Sequence, residues 1–204
     1  RDWSSDVCSS DLALLVGTQE QPVDAGHTAL IRLVYFDGMD RESCPAIVCC
    51  GGRMEFHGAE MNRTWAKLAA TARKGDSSVT LEEALTGWRA GDRVILVSTT
   101  RQTKTGEKTF RAHVTDLTQT EERTVRAVSG AQVTLNAPLE FDHTANGAYR
   151  GEIANFSRNV IVESADPAKA RGHTMFHKNS AGAISYAEFR HLGKEGVLGR
   201  YSIH

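Results

Sequence analysis

Arg158 and Asp166 are the first residues whose types and spacing invite chemistry. Arg158 stands just before an apolar run at residues 159–163 (NVIVE), and Asp166 follows that run, close to Glu163. A guanidinium offers a planar fork that grips a carboxylate through two parallel hydrogen bonds. An acid beside it can donate or accept a proton at a glycosidic bond. The same pair also reads as an ion pair between neighbouring strands, or as two solvated charges of little energetic weight. His173 and His177 form a second pair. On a strand, residues i and i+4 point to one face, so both imidazoles could meet one ligand or one divalent cation. No carboxylate stands at a fixed ligand spacing beside them, which leaves the metal unassigned. The alternative is that both are exposed while Thr174 and Phe176 face inward. Arg200 and His204 form a third set, able to bind an anionic group. Their alternative is turn geometry, with Gly199 in a left-handed conformation and Arg200 satisfying exposed carbonyls.

Other reactive types read as structural. His57 and His143 lie near glycines and suit hydrogen-bonded structural positions. Trp65 and Trp88 could stack on sugars, but the spacing around Trp65 and the apolar run after Trp88 suggest core. The sequons at Asn62 and Asn155 matter only in a eukaryotic secretory pathway. Discounting Cys8, the cysteines are Cys44, Cys49 and Cys50. An odd count predicts at most one bridge, involving Cys44, and no second pair at zinc spacing exists. No nucleotide-binding loop, nucleophile elbow or Cys/His nucleophile pair occurs.

The elements that must position these residues are mostly strands. The chain has 204 residues, 40% of them hydrophobic, with 24 basic and 25 acidic side chains and a net charge of -1. That balance argues against a nucleic-acid binder. No apolar run is long enough to span a bilayer. Residues 1–12 (RDWSSDVCSSDL) resemble a translated sequencing-adapter oligonucleotide and read as a foreign, disordered segment. Strand patterns follow at residues 28–36, 46–50, 53–57, 78–81, 93–98, 108–114, 122–128 and 132–135, broken by Gly, Asp and Ser turns. One helix is predicted after Thr64, from the recurrence of Trp65, Leu68 and Ala69 before Gly75. Residues 100–108 read as an exposed loop. From about Arg150 short strands recur at 159–163, 173–177, 184–189 and 201–204, the rhythm of coils that stack to bury their inner faces.

The order of several motifs resembles the G-eight domain family. The residues are Phe56-His57-Gly58, Thr64-Trp65 with Leu68, Gly87-Trp88, Gly91-Asp92, Glu121-Glu122, Leu139, His143, Glu152 and Arg158-Asn159-Val160. Residues 172–176 (GHTMF), Glu188-Phe189 and residues 198–204 (LGRYSIH) follow in the same order. The family usually has Pro where Ser202 stands. The resemblance implies an all-β fold: a right-handed parallel β-helix with one short helix, truncated at both ends. It implies a G-eight-like domain over 13–165 and the first coils of the β-helix over 166–204. It implies an extracellular or cell-surface location and a polysaccharide partner, in particular an acidic glycan of the hyaluronan type. Arg158 and Asp166 are then the catalytic candidates, and His173, His177, Arg200 and His204 the ligand-binding ones, with a divalent cation as a candidate cofactor. A polysaccharide-degrading enzyme and a non-catalytic adhesion or interaction module both fit these features.

Overall fold

The computed structural model describes residues 12–103, 113–115 and 119–204. In chain order its strands are β1 (Ala13–Val16), β2 (Ala29–Leu33), β3 (Ala46–Cys49) and β4 (Arg53–His57). Next come β5 (Trp65–Lys67), β6 (Ser78–Thr80), β7 (Arg93–Leu96), β8 (Arg101–Thr103), β9 (His113–Thr115), β10 (Glu121–Ser129) and β11 (Gln132–Leu135). The last are β12 (Ala145–Asn146), β13 (Tyr149–Arg150), β14 (Glu152–Asn155), β15 (Val160–Ser164), β16 (His173–Phe176), β17 (Ala181–Ser185) and β18 (Ala187–Arg190). The protein is all-β, and no helix among the described residues is long and apolar enough to cross a membrane. Of the expected foreign segment only Leu12 is described, and its carbonyl accepts the Arg53 N–H at 3.0 Å.

The chain divides into two compact units, residues 1–60 with 158–204, and residues 61–157. The chain leaves the first unit after Glu60 and returns to it at Arg158.

The first unit is built from three parallel ladders. β4 pairs with β1 and β17, β15 pairs with β2 and β18, and β16 pairs with β3. Followed along the chain, the strands visit the three ladders in a fixed rotation. β1, β2 and β3 take one position each, then β4, β15 and β16, then β17 and β18. Parallel neighbours cannot be joined by a tight hairpin, so each return to a ladder needs a circuit of the others. Alternation within each strand turns Met54, Phe56, Val160, Val162, Leu33 and Cys49 to a shared core, where Phe56 meets Phe189 edge-on at 5.2 Å. Burying each large side chain of this kind stabilises by roughly 1.5–3 kcal/mol.

The return of the chain at Arg158 is held by Asn159. Its side-chain oxygen accepts the Ala59 N–H at 2.8 Å, and its amide donates to the carbonyls of Val23, Asp24 and His27 at 2.9–3.1 Å. Asn159 is thereby buried with its polar atoms satisfied. Gly58, one residue before Ala59, must lack a side chain. A Cβ there would lie 2.7 Å from Asn159 Oδ1 and collide with the carbonyl of Tyr186.

The second unit is a six-stranded antiparallel sheet in the order β5-β14-β7-β10-β11-β6. Its two ends meet. Leu68 bridges Leu81, the Ala69 N–H donates to Thr80 O at 2.8 Å, and the Glu82 N–H donates to Lys67 O at 3.0 Å. The sheet thus closes into a barrel through residues 67–69 and 80–82, filled by Ala66, Leu68, Val79, Val94, Leu96, Val133 and Ile153. Glu121 and His143 are buried polar members. The Glu121 carboxylate accepts the N–H groups of Glu140 and Phe141 and the His143 ring at 2.9 Å, and pairs with Arg123. Burial raises its pKa, but the Glu140 N–H, His143, the Phe141 N–H and Arg123 together outweigh that, and the carboxyl ends below its usual value. The helix expected after Thr64 is strand β5. Trp65 and Lys67 are exposed while Ala66 and Leu68 are buried, a period of two, because the barrel closes through this segment. Residues 101–103 of the expected loop pair with 113–115, and residues 104–108 lie outside the described residues.

Asn159→Ala would leave the Ala59 N–H without its acceptor and three carbonyls without their donor. We expect a loss of roughly 3 kcal/mol, given ~1–3 kcal/mol per buried unsatisfied group. Asn159→Asp keeps the acceptor but sets a buried carboxylate against the three carbonyls, and should lose more than Asn159→Ala. Urea unfolding of the two variants checks the order.

Candidate functional site

Because the strands visit the ladders in rotation, the turns between them recur in rotation too. Residues 34–45 lead from β2 to β3, residues 165–172 lead from β15 to β16, and residues 191–200 follow β18. All three leave the same ladder on neighbouring strands, which stand about 4.8 Å apart. The turns are tied to one another. Arg41 Nη2 donates to Lys169 O at 2.8 Å, and the Gly193 N–H donates to Gly172 O at 2.8 Å. Lys194 Nζ donates to the carbonyls of Arg41 and Cys44, both at 2.6 Å, and Arg200 Nε donates to Glu42 O at 3.3 Å. Tyr35 receives two cations on its ring, Arg41 at 5.7 Å and Lys169 at 5.6 Å.

Two clefts flank the Lys194 segment. One, of about 480 Å³, is lined by Arg41, Lys169, Arg171 and Lys194 with Glu42 and Glu195. The other, of about 620 Å³, is formed by the turn running from Gly193 to Ser202. That turn needs Gly199, which sits at φ 76°, a conformation that disfavours a side chain. In the basic cleft, Lys169 is paired with Asp37 at 3.0 Å. Two of the three Lys194 N–H donors go to carbonyls, which leaves one. Burial first, with Arg200 and Arg41 adding to it, pulls the Lys194 ammonium below its usual pKa against the opposing pull of Cys44 and Asp40. Arg171 is exposed and has no hydrogen bond or ion pair among the described residues.

The residues anticipated from sequence are dispersed around this region. Arg158 precedes β15 and Asp166 follows it. The strand between them spans about 13 Å at roughly 3.3 Å per residue. The two therefore do not meet on one bond. Asp166 is exposed, and its Oδ1 caps the turn by accepting the N–H groups of Ala168 and Lys169 at 3.1 Å. His173 and His177 do not share a face. β16 ends at Phe176, so the alternation fails before His177, which is exposed in a turn where Ser180 N–H donates to its carbonyl. His173 is 1% exposed, and its Nδ1 has no partner. Arg200 braces the Glu42 carbonyl. His204 lies against the Tyr201 ring at 5.2 Å, and its carbonyl accepts the Phe176 N–H at 2.8 Å. Among the described residues no three His, Cys, Asp or Glu side chains converge as metal ligands. Cys44 and Cys49 carry free thiols. The Asn155 amide is buried and donates to Asp92 at 2.7 Å, so it is not open as a glycosylation acceptor. Arg41, Lys169, Arg171 and Lys194 did not emerge from the sequence. The only available signal was that each lies in the turn after a strand of one ladder.

These features define an all-β protein in which a rotation of parallel strands is interrupted by a closed antiparallel barrel. No family model matches the chain. It is similar to a G8 domain-containing protein of Dictyostelium discoideum, 26% identical over 77% of this chain and 13% of that protein. It is also similar to human fibrocystin-L, 27% identical over 94% of this chain and 5% of that protein. The chain thus spans a small fraction of the length of these relatives. Both likenesses run over most of this chain and support the resemblance to the G8 domain. Among solved structures, the Pseudomonas phage phi297 tailspike gp61 aligns with 79% of this chain and 24% of its own at 15% identity, with a TM-score of 0.37.

His173 gives this region a pH signature. Burial first, then Arg200, Lys194 and His204, lowers its pKa from 6.5 to about 4. The folded state therefore binds this proton less readily than the unfolded chain does. Its stability is undiminished above pH 6.5, falls as the pH drops from 6.5 to 4, and is level below that. The full loss is on the order of 3 kcal/mol. His173→Asn should flatten this decline, read as melting temperature at pH 7.5, 5.5 and 4.5. An unchanged decline would assign the effect to another group.

Proposed function

We propose that the basic cleft binds an acidic polysaccharide at an extracellular surface, and that the three parallel ladders are the coils of a right-handed parallel β-helix. The strand rotation supports the fold, since parallel crossovers are right-handed in about 98% of cases. The observation that carries the function is the lining of the cleft. Four cations stand against two carboxylates there, on a chain whose net charge is -1. The cations come from three stacked turns, so positive charge is repeated along the stacking direction, as a polymer with a repeating carboxylate requires. Arg171 supplies an unengaged fork for such a carboxylate. Binding without turnover is the form favoured here, because Arg158 and Asp166 stand at opposite ends of β15.

Hyaluronan is the first polymer to test. Isothermal titration with hyaluronan oligosaccharides should give saturable binding that weakens as salt rises. A neutral polymer of equal length should bind at least tenfold more weakly at this cleft. Arg171→Glu should weaken hyaluronan at least tenfold while the melting temperature stays unchanged. Equal binding of charged and neutral polymers, or an indifferent Arg171→Glu, would overturn the reading. Shortening of the polymer during incubation would overturn the binding-only form.

A further inference from the structure

The barrel carries an exposed aromatic face that the acidic-polymer reading does not use. Trp65 is 50% exposed on the outside of β5. Its cross-strand partner is Ala154 on β14, and Ala154 is in turn paired with Ile95 on β7. Glu122 on β10 completes the row opposite Ile95. Ala154 is thus a small residue between an indole and an isoleucine, which leaves the side of the indole ring uncrowded. Phe156 lies two residues beyond Ala154, a diagonal neighbour of Trp65 at about 7–8 Å by antiparallel geometry. Its ring is fixed by Arg93 at 5.2 Å. Two aromatic groups thus stand near one another on the outer face of the sheet.

The two tryptophans of the barrel differ in a telling way. Trp88 is buried, and its Nε1 donates to Arg63 O at 2.7 Å. Trp65 has no such bond among the described residues, so its N–H is available to a ligand. The charges around the face are matched. Lys67 stands opposite Glu152, and Arg93 is 2.7 Å from Glu122. Two cations and two carboxylates leave the face without net charge, yet rich in donors and acceptors. A polyanion gains nothing there, and an apolar protein surface would leave these charges unsolvated. A neutral sugar meets both conditions. When the substituents of a pyranose ring are equatorial, its C–H groups form a flat apolar face for the indole, and its hydroxyls reach the rim.

We infer that this face is a second carbohydrate site, specific for a neutral polymer of equatorially substituted pyranoses, with Trp65 as its stacking platform. It is separate from the basic cleft and does not depend on that reading. Cellohexaose is the probe, titrated into the full chain by calorimetry and by tryptophan fluorescence. Saturable binding with a change in emission is expected. Trp65→Ala should weaken it at least tenfold, Trp65→Phe should stay within about threefold of wild type, and both should melt as wild type does, since the side chain is outside the core. Arg171→Glu should leave cellohexaose binding intact, so the two sites can fail independently. Absence of cellohexaose binding at millimolar concentration would overturn the inference, as would binding that survives Trp65→Ala.

Discussion

The four hydrogen bonds of Asn159 are the constraint on which the first unit depends. The chain departs after Glu60 and returns at Arg158, and loop-closure entropy opposes so long an excursion unless its two ends are fixed together. Asn159 fixes them, by accepting from Ala59 on the outgoing side and donating to three carbonyls of the turn before β2 on the other. The next residue, Val160, pairs with Ala29 and Ala187. An error of one residue at this return would exchange Val160 and Val162 for Ile161 and Glu163 on the core side, since the side-chain period of a strand is two. Gly58 is the other half of the same constraint, because the space its Cβ would take is filled by Asn159 and the Tyr186 backbone.

Once the register is set, charge sorts itself between strands and turns. Glu163 on β15 stands between Arg32 on β2 and Arg190 on β18, at 2.8 and 2.7 Å. These two guanidiniums hold its carboxyl below the usual range against the opposing effect of burial. Glu55 pairs likewise with Arg53 on its own strand. Cations on these strands are thus engaged with carboxylates directly opposite or two residues away. The turns offer fewer such partners, Asp37 on Lys169 being one. Lys194 and Arg200 are held mainly by backbone carbonyls, which orient a cation without cancelling its charge. Positive potential therefore collects where the turns stack.

Much of the strand content was legible from the sequence, because alternation and Gly or Asp punctuation report it locally. Residues 53–57 and 159–163 are examples. Features that depend on where an element stops were not legible. His173 and His177 have strand spacing, yet the strand ends between them. Trp65, Leu68 and Ala69 have helical spacing, yet barrel closure imposes a period of two. The rotation of strands was hidden by the excursion between Glu60 and Arg158, which separates β4 from β15 along the chain. The basic cleft was invisible for the same reason. Its cations come from residues 41, 169, 171 and 194, which only the rotation brings together.

Closure of the barrel has a consequence for what its surface can do. An open sheet recruits partners through unpaired backbone groups, with little regard to side chains. With residues 67–69 joined to residues 80–82 the described barrel offers little such edge. Recognition by this unit must then come from side chains on its outer face or from its turns. On that face the alternation that sends Ala66 and Leu68 inward also sends Trp65 and Lys67 outward. The exposed indole is a direct product of the closure that stabilises the core. It stands on a strand paired with β14 and joined to residues 80–82 just beyond it, so a ligand that stacks on it meets a surface already ordered. Little conformational entropy is then lost on binding, which is the condition under which a weak, flat contact with a sugar ring becomes measurable.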